Sequence, residues 1–534
     1  MNSAPTFAPV PAAAVPPTLR ARLPLILALM LATGADAFTS SAVGIALPRI
    51  AADFAASPDE ISWAVTLYLA AFAVSLPLTA WRADVFGQRR YLAGAMVVYL
   101  AAALGCIIAP TLPVFLALQL VLGAAGAAFL ARAVVTITRE FRPPTIYQAF
   151  FIFMGAFGIR SLGLPFGGYL VDHLSWRCLF AVPAALLGLG ALPALLRSAE
   201  IWPRRRALRP DVPGLALLGA GLGALLVAAL RGERDDWLGS PVIVTLLAIA
   251  VLALPLFVWQ EHRRGNGRRM ITFASLRHPG MGVGLALSFL AGVMMVGGLY
   301  VLPQFLLNVV GCDAWHTGVL MSVDSWAILA GLALAVWSLG RLQTRALLPA
   351  AGALFSTAML LLAFRITSGT PVEALVVPMV LHGLGVGLAL PPIGIFSFRR
   401  LGANDRHNSE GRAWNYTARQ LGGALAVGLI VVLLDRRATV HSTQLGADLA
   451  TVGPLLPATL AAIGRGLVAH GLPPALAGRA AEAVLGRLVA RESTVLAFRD
   501  LFLLTAVIGV ALGALGFCLP RPAPARRPAA APFR

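Results

Sequence analysis

Apolar and polar residues alternate along this chain in long blocks. Apolar runs of roughly 20 residues, the length that an α-helix needs to cross a bilayer, are separated by shorter polar turns. Fourteen such runs lie at 23–47, 61–81, 91–109, 112–137, 146–171, 178–196, 212–230, 240–259, 280–303, 316–338, 347–365, 371–398, 413–434 and 498–519. Because lipid offers the backbone no hydrogen-bond partner, these runs must be helical. The pattern predicts an all-α polytopic membrane protein with 14 transmembrane helices.

The composition excludes a soluble globular protein. Hydrophobic residues make up 58% of the chain and charged residues only 12%, whereas charged residues form about a quarter of a soluble domain. All 42 basic residues are arginine and the formal net charge is +19. These arginines occupy short turns, so we expect no nucleic-acid partner. The cysteines show no paired spacing, so we expect no metal, cofactor or disulfide framework; they are Cys106, Cys178, Cys312 and Cys518.

The turn after the second run indicates the orientation of the chain. It contains Arg82, Arg89 and Arg90, and basic residues beside a span favour the cytoplasmic side. Alternation of the remaining spans then places both termini in the cytoplasm, as expected of a protein of the cytoplasmic (inner) membrane. Residues 1–22 and 520–534 are predicted to form cytoplasmic tails, the first of them disordered.

One long polar segment, 435–497, is predicted to lie outside the membrane. Leu476, Ala480, Val484 and Leu488 recur every four residues within it, which predicts an amphipathic helix. We interpret the segment as a helical cap on the outer membrane surface. The alternative is a docking site for a periplasmic adaptor protein.

Six ionisable side chains lie inside the apolar runs, where a charged side chain costs about 2.5 to 3.5 kcal/mol to insert. They are Asp36, Arg132, Arg160, Asp324, His382 and Arg419. Carboxyl groups among apolar helices can exchange protons, so Asp36 and Asp324, with His382, are candidates for proton coupling. The arginines would pair with these acids or with a substrate. Two alternatives stay open: a static ion pair such as Asp36 with Arg132, and a purely interhelical hydrogen-bonding role for His382.

Two further groups of residues are candidates from their position in the runs. Phe305 and Trp326 lie deeper than the aromatic residues at the ends of the runs and are predicted to line a substrate cavity. A small-residue motif in the fifth run is predicted to let helices pack closely; it comprises Gly163, Pro165, Gly167 and Gly168.

Two of these sequence motifs resemble those of the major facilitator superfamily. The turn PLTAWRADVFGQRR, from Pro77 to Arg90, resembles the family signature GxLaDrxGrkr between the second and third helices. GLPFGG, from Gly163 to Gly168, resembles the antiporter signature GPxxGG of the fifth helix. With 14 runs, PDVPGLALLG, LPQFLLNVVG and ARQLGG, the chain is similar to the fourteen-span drug/proton antiporter branch.

The resemblance implies a fold and a set of roles. It implies two six-helix bundles, 23–196 and 280–519, joined by a linker, 197–279, that carries two inserted helices. It implies a cytoplasmic gate formed by Asp84, Gly87, Arg89 and Arg90. Thr39 occupies the usual place of the family's first-helix acid, and Asp36 lies one turn earlier on the same face. The family's fourth-helix arginine is absent, and Arg132 lies more than two turns further on.

The function that we expect is export of amphipathic or hydrophobic small molecules in exchange for protons, by a monomer in the lipid bilayer that is not an enzyme. Uptake or facilitated transport of a specific metabolite without proton coupling is one alternative. A polytopic enzyme acting on lipids and a nontransporting receptor are the others.

Overall fold

The computed structural model describes residues 19–141, 145–198, 211–232, 234–263, 280–296, 301–338, 344–367, 369–398, 405–451 and 455–517. These residues form helices and turns, and no strand occurs among them. The first half contains α1 (Leu19–Asp53), α2 (Pro58–Ser75), α3 (Leu78–Phe86), α4 (Gln88–Ile108), α5 (Leu112–Glu140), α6 (Thr145–Phe153), α7 (Gly155–His173), α8 (Cys178–Ala185) and α9 (Leu192–Arg197). A π-helical segment, Leu186–Ala191, joins α8 to α9.

The second half continues the helical pattern. It contains α10 (Val212–Arg231), α11 (Pro241–Arg263), α12 (Met281–Val296), α13 (Leu302–Phe305), α14 (Ala314–Ser338), α15 (Thr344–Arg365), α16 (Val376–Phe398), α17 (Asp405–Thr451), α18 (Leu455–Ala469) and α19 (Pro474–Phe517). The all-α prediction is therefore confirmed. Most of the two predicted tails, residues 1–18 and 518–534, lies outside the described residues.

The structure supports 12 of the 14 predicted spans. Within the described residues, 12 helices are long and apolar enough to cross a membrane. The run 61–81 is divided between α2 and α3 near Pro77, and α2 begins with the polar residues Asp59 and Glu60. In the run 280–303, α12 is described as far as Val296, and residues 297–300 lie outside the described residues. The run 61–81 is thus helical but divided, and it begins with a polar turn.

Buried apolar side chains form two large clusters. The first extends from Leu25 to Leu195, and the second from Leu287 to Leu512. Leu164 of α7 is the one member of the second cluster that comes from the first half of the chain. The two clusters correspond to the two predicted bundles, and α7 is a point at which they meet.

The inserted helix α10 lies between α2 and α17. Leu218, Leu222 and Leu226 of α10 share a cluster with Trp81 and with Ala424 of α17. A Cβ atom on Gly428 of α17 would lie 2.1 Å from the carbonyl oxygen of Ala229, so the two backbones are in close contact. The helix α10 therefore lies between the two bundles on this side.

Arg231 attaches the end of α10 to the start of α2. Its guanidinium lies 2.8 Å from Asp59 Oδ1 and 3.1 Å from Asp235 Oδ2, and 4.2 Å from the centre of the Trp63 ring. The residue is only 2% exposed. Because the charge is buried but fully hydrogen-bonded, the contact joins the two helices without leaving an isolated charge.

The polar segment 435–497 is helical and continuous with two long helices. The helices α17 and α19 continue through its two ends without a break, and α18 packs against α19. Neither 413–451 nor 475–517 contains a proline that would end the helix. The prediction of helical structure is correct, and the two ends of the segment extend α17 and α19. A cap on the outer membrane surface stays a prediction.

Loss of the Arg231 contact should destabilise the protein. We expect Arg231→Ala to lower the free energy of unfolding by about 2 kcal/mol, since charged hydrogen bonds are lost. Thermal unfolding in detergent measures the effect. The control is Arg234→Ala, because the Arg234 guanidinium is 3.7 Å from Asp59 and 41% exposed and exposed pairs contribute little. Equal stability of Arg231→Ala and the wild type would contradict the assignment.

Candidate functional site

Asp36 lies in the core of the first bundle and is held by residues from other helices. The Tyr68 hydroxyl of α2 donates a hydrogen bond to Asp36 Oδ1 over 2.7 Å. A Cβ atom on Gly126 of α5 would lie only 2.1 Å from the same oxygen. The carboxyl group is therefore enclosed between α1, α2 and α5, with Gly126 leaving the space that it occupies.

Thr39 lies on the same side of α1 as Asp36. It is buried, and its hydroxyl donates to the carbonyl of Ala35 over 2.9 Å. The hydroxyl of Tyr99 lies near both Asp36 and Thr39. Among the described residues it makes no hydrogen bond within normal distance limits. Three helices thus contribute polar groups to the surroundings of Asp36.

Arg132 does not pair with Asp36. Its Nε donates to Gln88 Oε1 over 2.8 Å, and Gln88 Nε2 donates to Thr136 over 3.0 Å. Arg132 is six residues from Gly126, so it lies about 9 Å further along α5 than the level of Asp36. The alternative of a static Asp36–Arg132 ion pair is therefore wrong.

Asp324 and His382 form a fully buried pair in the second bundle. Asp324 Oδ1 and His382 Nδ1 are 2.6 Å apart, and both side chains have no exposed surface. His382 Nε2 lies 3.4 Å from the carbonyl oxygen of Met294. The pair joins α14 to α16, and a proton can be shared between its two partners.

The contact between α7 and α14 places Arg160 level with Asp324. Gly158 of α7 faces Trp326 of α14, with its Cβ position 3.8 Å from the ring. Further along, the Cβ position of Gly318 is 2.6 Å from the carbonyl oxygen of Leu164, so the helices are antiparallel. Two residues after Gly158 comes Arg160, and two residues before Trp326 comes Asp324. Arg160 is therefore within electrostatic range of Asp324, as it is of Arg419 and Tyr68.

Arg419 is the second cation at the boundary between the bundles. Its guanidinium lies 4.6 Å from the centre of the Tyr416 ring. Tyr416 packs against Ala127 and Ala131 of the first bundle. Arg419 is half-buried, so α17 brings it to the same boundary that Arg160 occupies.

Phe305 and Trp326, the two aromatic residues predicted to line a substrate cavity, lie in different surroundings. Trp326 is 47% exposed, and two residues correspond to about 200° of rotation around a helix. It therefore lies on the opposite side of α14 from Asp324. Phe305 is fully buried in the second cluster, 5.4 Å from Phe498 between ring centres. Phe305 is thus part of the second apolar cluster, and Trp326 is not beside the charged residues. Lining of a substrate cavity by either residue stays a prediction.

The glycine motif of α7 packs against α1. The Cβ position of Gly163 is 2.5 Å from the Ser41 hydroxyl, and that of Gly167 is 3.0 Å from Ala42. Gly168 is also buried, and Pro165 lies on the side that meets α14. Small residues therefore let α7 lie close to both bundles.

The residues of the predicted gate surround the turn between α3 and α4. Gly87 has a φ of 83°, a conformation that favours glycine. Arg89 donates to the carbonyl oxygen of Leu196 at the end of α9, and Arg90 is exposed. Asp84 is half-buried and has no hydrogen-bond or ion-pair partner among the residues that the structure describes. Arg89 is thus the gate residue with a contact to another span.

The sequence did not identify Tyr68 and Tyr99 as residues of the site. Tyr68 and Tyr99 are polar residues within apolar runs, a signal that could have identified them, but their pairing with Asp36 depends on helix packing. No group of His, Cys, Asp and Glu within the described ranges could hold a metal ion.

Two clusters of membrane helices with charged side chains at their boundary form the architecture of a secondary transporter. The family model described as Major Facilitator Superfamily matches residues 29–427, which is most of the chain. The chain belongs to this superfamily.

Relatives and solved structures agree with this assignment. The uncharacterized MFS-type transporter YhcA of Bacillus subtilis is 24% identical over 440 residues, covering 80% of each chain. Rv1877 of Mycobacterium tuberculosis is 29% identical, with 72% of this chain and 59% of the relative covered. The multidrug export protein EmrB of Escherichia coli is 24% identical, with 79% of this chain and 82% of the relative covered.

The solved structures show the same fold at low identity. An auto-inhibited peptide transporter of the POT family has a TM-score of 0.57 and 16% identity, covering 94% of this chain and 98% of that one. A bacterial homologue of the human lysosomal transporter Spinster has a TM-score of 0.56 and 16% identity, covering 94% and 97%.

The close approach of Gly126 to Asp36 can be tested. We expect Gly126→Ala to push the carboxyl group away from Tyr68, and to lower the free energy of unfolding by about 1 to 3 kcal/mol through overpacking. Gly94→Ala is the matched control, because no atom lies within 4 Å of its Cβ position. Thermal unfolding of the two variants in detergent should separate them, and similar midpoints would show that Asp36 is not confined by α5.

Proposed function

We propose that the protein exports amphipathic or hydrophobic small molecules across the cytoplasmic membrane in exchange for protons. It acts as a monomer with both termini in the cytoplasm. The segment 435–497 lies on the periplasmic side, where an adaptor protein is a candidate partner. Because the superfamily consists of transporters, we expect no catalytic activity.

The observation that carries the proposal is the pair of buried carboxyl groups, one in each bundle. Asp36 accepts a hydrogen bond from Tyr68, and Asp324 is bonded to His382. An ionisable group inside a membrane protein marks a transport or proton pathway by default. A neutral partner such as a tyrosine can hold a carboxyl group in either protonation state, which proton exchange requires.

The names of relatives and the arginines at the bundle boundary support the proposed substrate class and direction of transport. Relatives with matching chains carry names such as multidrug export protein EmrB. Arg160 and Arg419 at the bundle boundary are candidates for contact with a polar part of the substrate, and apolar surface from both bundles would hold the rest. The cavity would lie near the midplane between the bundles.

The third element of the proposal is the gate. Arg89 joins the turn after α3 to the end of α9, and the turn is fixed by the conformation of Gly87. We assign Asp84, Gly87, Arg89 and Arg90 to a latch on the cytoplasmic side that stabilises one access state. Gly163, Pro165, Gly167 and Gly168 would provide the close packing against which α7 moves.

Neutralising either carboxyl group should abolish proton coupling. A growth-inhibition panel comparing expressing and deletion strains first identifies a transported compound. Proteoliposomes that enclose a pH-sensitive dye then report proton movement driven by this compound. We expect Asp36→Asn and Asp324→Asn each to reduce this movement at least tenfold, because asparagine cannot exchange a proton.

Asp172→Asn is the control, since Asp172 is an exposed carboxyl group at the end of α7 and should be dispensable. Full proton movement in Asp36→Asn would remove this residue from the mechanism. Transport of the compound by wild type without any proton movement would favour the uncoupled alternative.

A further inference from the structure

One oxygen of the buried Asp324 carboxyl group has no partner. Oδ1 is bonded to His382, but Oδ2 makes no hydrogen bond to any described residue. Asp324 has no exposed surface, so this oxygen is not in contact with bulk solvent. A buried acceptor without a donor costs about 1 to 3 kcal/mol, and more if it is charged. The site is therefore incomplete in this conformation.

Arg160 on α7 is the cationic side chain that lies level with Asp324 on α14. The antiparallel contacts of Gly158 with Trp326 and of Leu164 with Gly318 fix the alignment of α7 with α14. A third contact agrees, because the rings of Tyr169 and Trp315 are 5.9 Å apart. The alignment sets Arg160 opposite Asp324, on the side of the two helices away from Trp326.

The Arg160 guanidinium is itself incompletely bonded. The residue is half-buried, and within the described part of the chain its guanidinium forms no hydrogen bond and no ion pair shorter than 4.0 Å. Its backbone lies close to α1, since the Ser41 hydroxyl is 3.4 Å from the Arg160 carbonyl oxygen. The Arg160 guanidinium of the first bundle thus lies level with Asp324 Oδ2 of the second bundle. Neither group forms a hydrogen bond to a described residue.

We propose that Arg160 is a positioning residue that crosses the bundle boundary to pair with Asp324 Oδ2 when Asp324 is ionised. Uptake of a proton by Asp324 removes the negative charge and releases Arg160. The α7–α14 side of the site is then free to separate. The charge state of one carboxyl group thereby controls a contact between the two bundles.

Other charged groups around the pair are compatible with this role. His382 on α16 holds Oδ1 and leaves Oδ2 to Arg160. Arg419 on α17 is a like charge within electrostatic range of the Arg160 guanidinium, so it opposes burial of Arg160 without an anion. Tyr68 on α2 is also within this range and, as a neutral phenol, does not compete with Asp324 for the cation. This inference rests on the proposed function, because it assumes that Asp324 exchanges a proton during transport.

The test is thermal unfolding of the full-length protein in detergent between pH 5 and pH 8, which needs no substrate. The thermal stability of the protein should depend on Arg160 when Asp324 is ionised, and should not depend on it when Asp324 is protonated. We therefore expect the difference in unfolding midpoint between wild type and Arg160→Gln to increase with pH, by about 2 °C or more over this range. Arg160→Lys keeps the charge and should restore most of the wild-type profile.

A second experiment introduces Arg160→Gln into the Asp324→Asn variant. Without an ionisable group at position 324, the effect of Arg160→Gln should be the same at every pH. A merely structural role of Arg160 would give the same constant difference in wild type, and that result would overturn the proposal. So would an Arg160→Lys profile identical to that of Arg160→Gln. If Arg160→Gln is not monodisperse, Arg160→Met replaces it, since methionine keeps a similar unbranched stem.

The outcome is separable from that of the proposed function. One result is that Asp324→Asn loses proton movement in proteoliposomes, while the difference in unfolding midpoint between wild type and Arg160→Gln does not change with pH. Proton-coupled transport is then supported and the role proposed for Arg160 is wrong. If the difference is present but the proteoliposomes show no proton movement, the pair exists and proton-coupled export is wrong.

Discussion

The cost of placing charge inside a membrane protein is the constraint that organises this structure. Several kcal/mol oppose each charged residue in a span, and the chain nevertheless keeps Asp36, Arg160, Asp324 and Arg419 there. None of these four side chains has been left among apolar groups alone. Asp36 is bonded to Tyr68 of α2 and Asp324 to His382 of α16, and Arg160 is within electrostatic range of Asp324 and Arg419. Helix packing and charge placement therefore depend on each other.

Close helix contacts make these arrangements possible. Gly126 leaves space for the Asp36 carboxyl group, and a larger residue at this position would displace it. Gly318 lets α14 approach the backbone of α7, and this contact sets Arg160 level with Asp324. Gly292 has a comparable role, since its Cβ position lies 2.0 Å from the Arg419 carbonyl oxygen. Glycine positions thus determine which ionisable groups meet.

Much of the fold could be predicted from the sequence, whereas the pairing within the site could not. Apolar run length and the lack of hydrogen-bond partners in lipid dictate helices, so their approximate positions were predictable. The polar first turn of α2 and the division of its run near Pro77 depart from the simple pattern. Partner choice depends on rotation and register: Asp36 bonds Tyr68 instead of Arg132, and Trp326 lies on the far side of its helix from Asp324. Those quantities follow from contacts between helices that a single sequence does not contain.

The central claim is that substrate binding and proton binding at the buried carboxyl groups are linked. Calorimetry of compound binding in buffers of different ionisation enthalpy counts the protons released on binding. For an exchanger, the two ligands compete, so binding should release protons near neutral pH from the wild type and fewer from Asp324→Asn. An equal proton count in wild type, Asp36→Asn and Asp324→Asn would contradict the account.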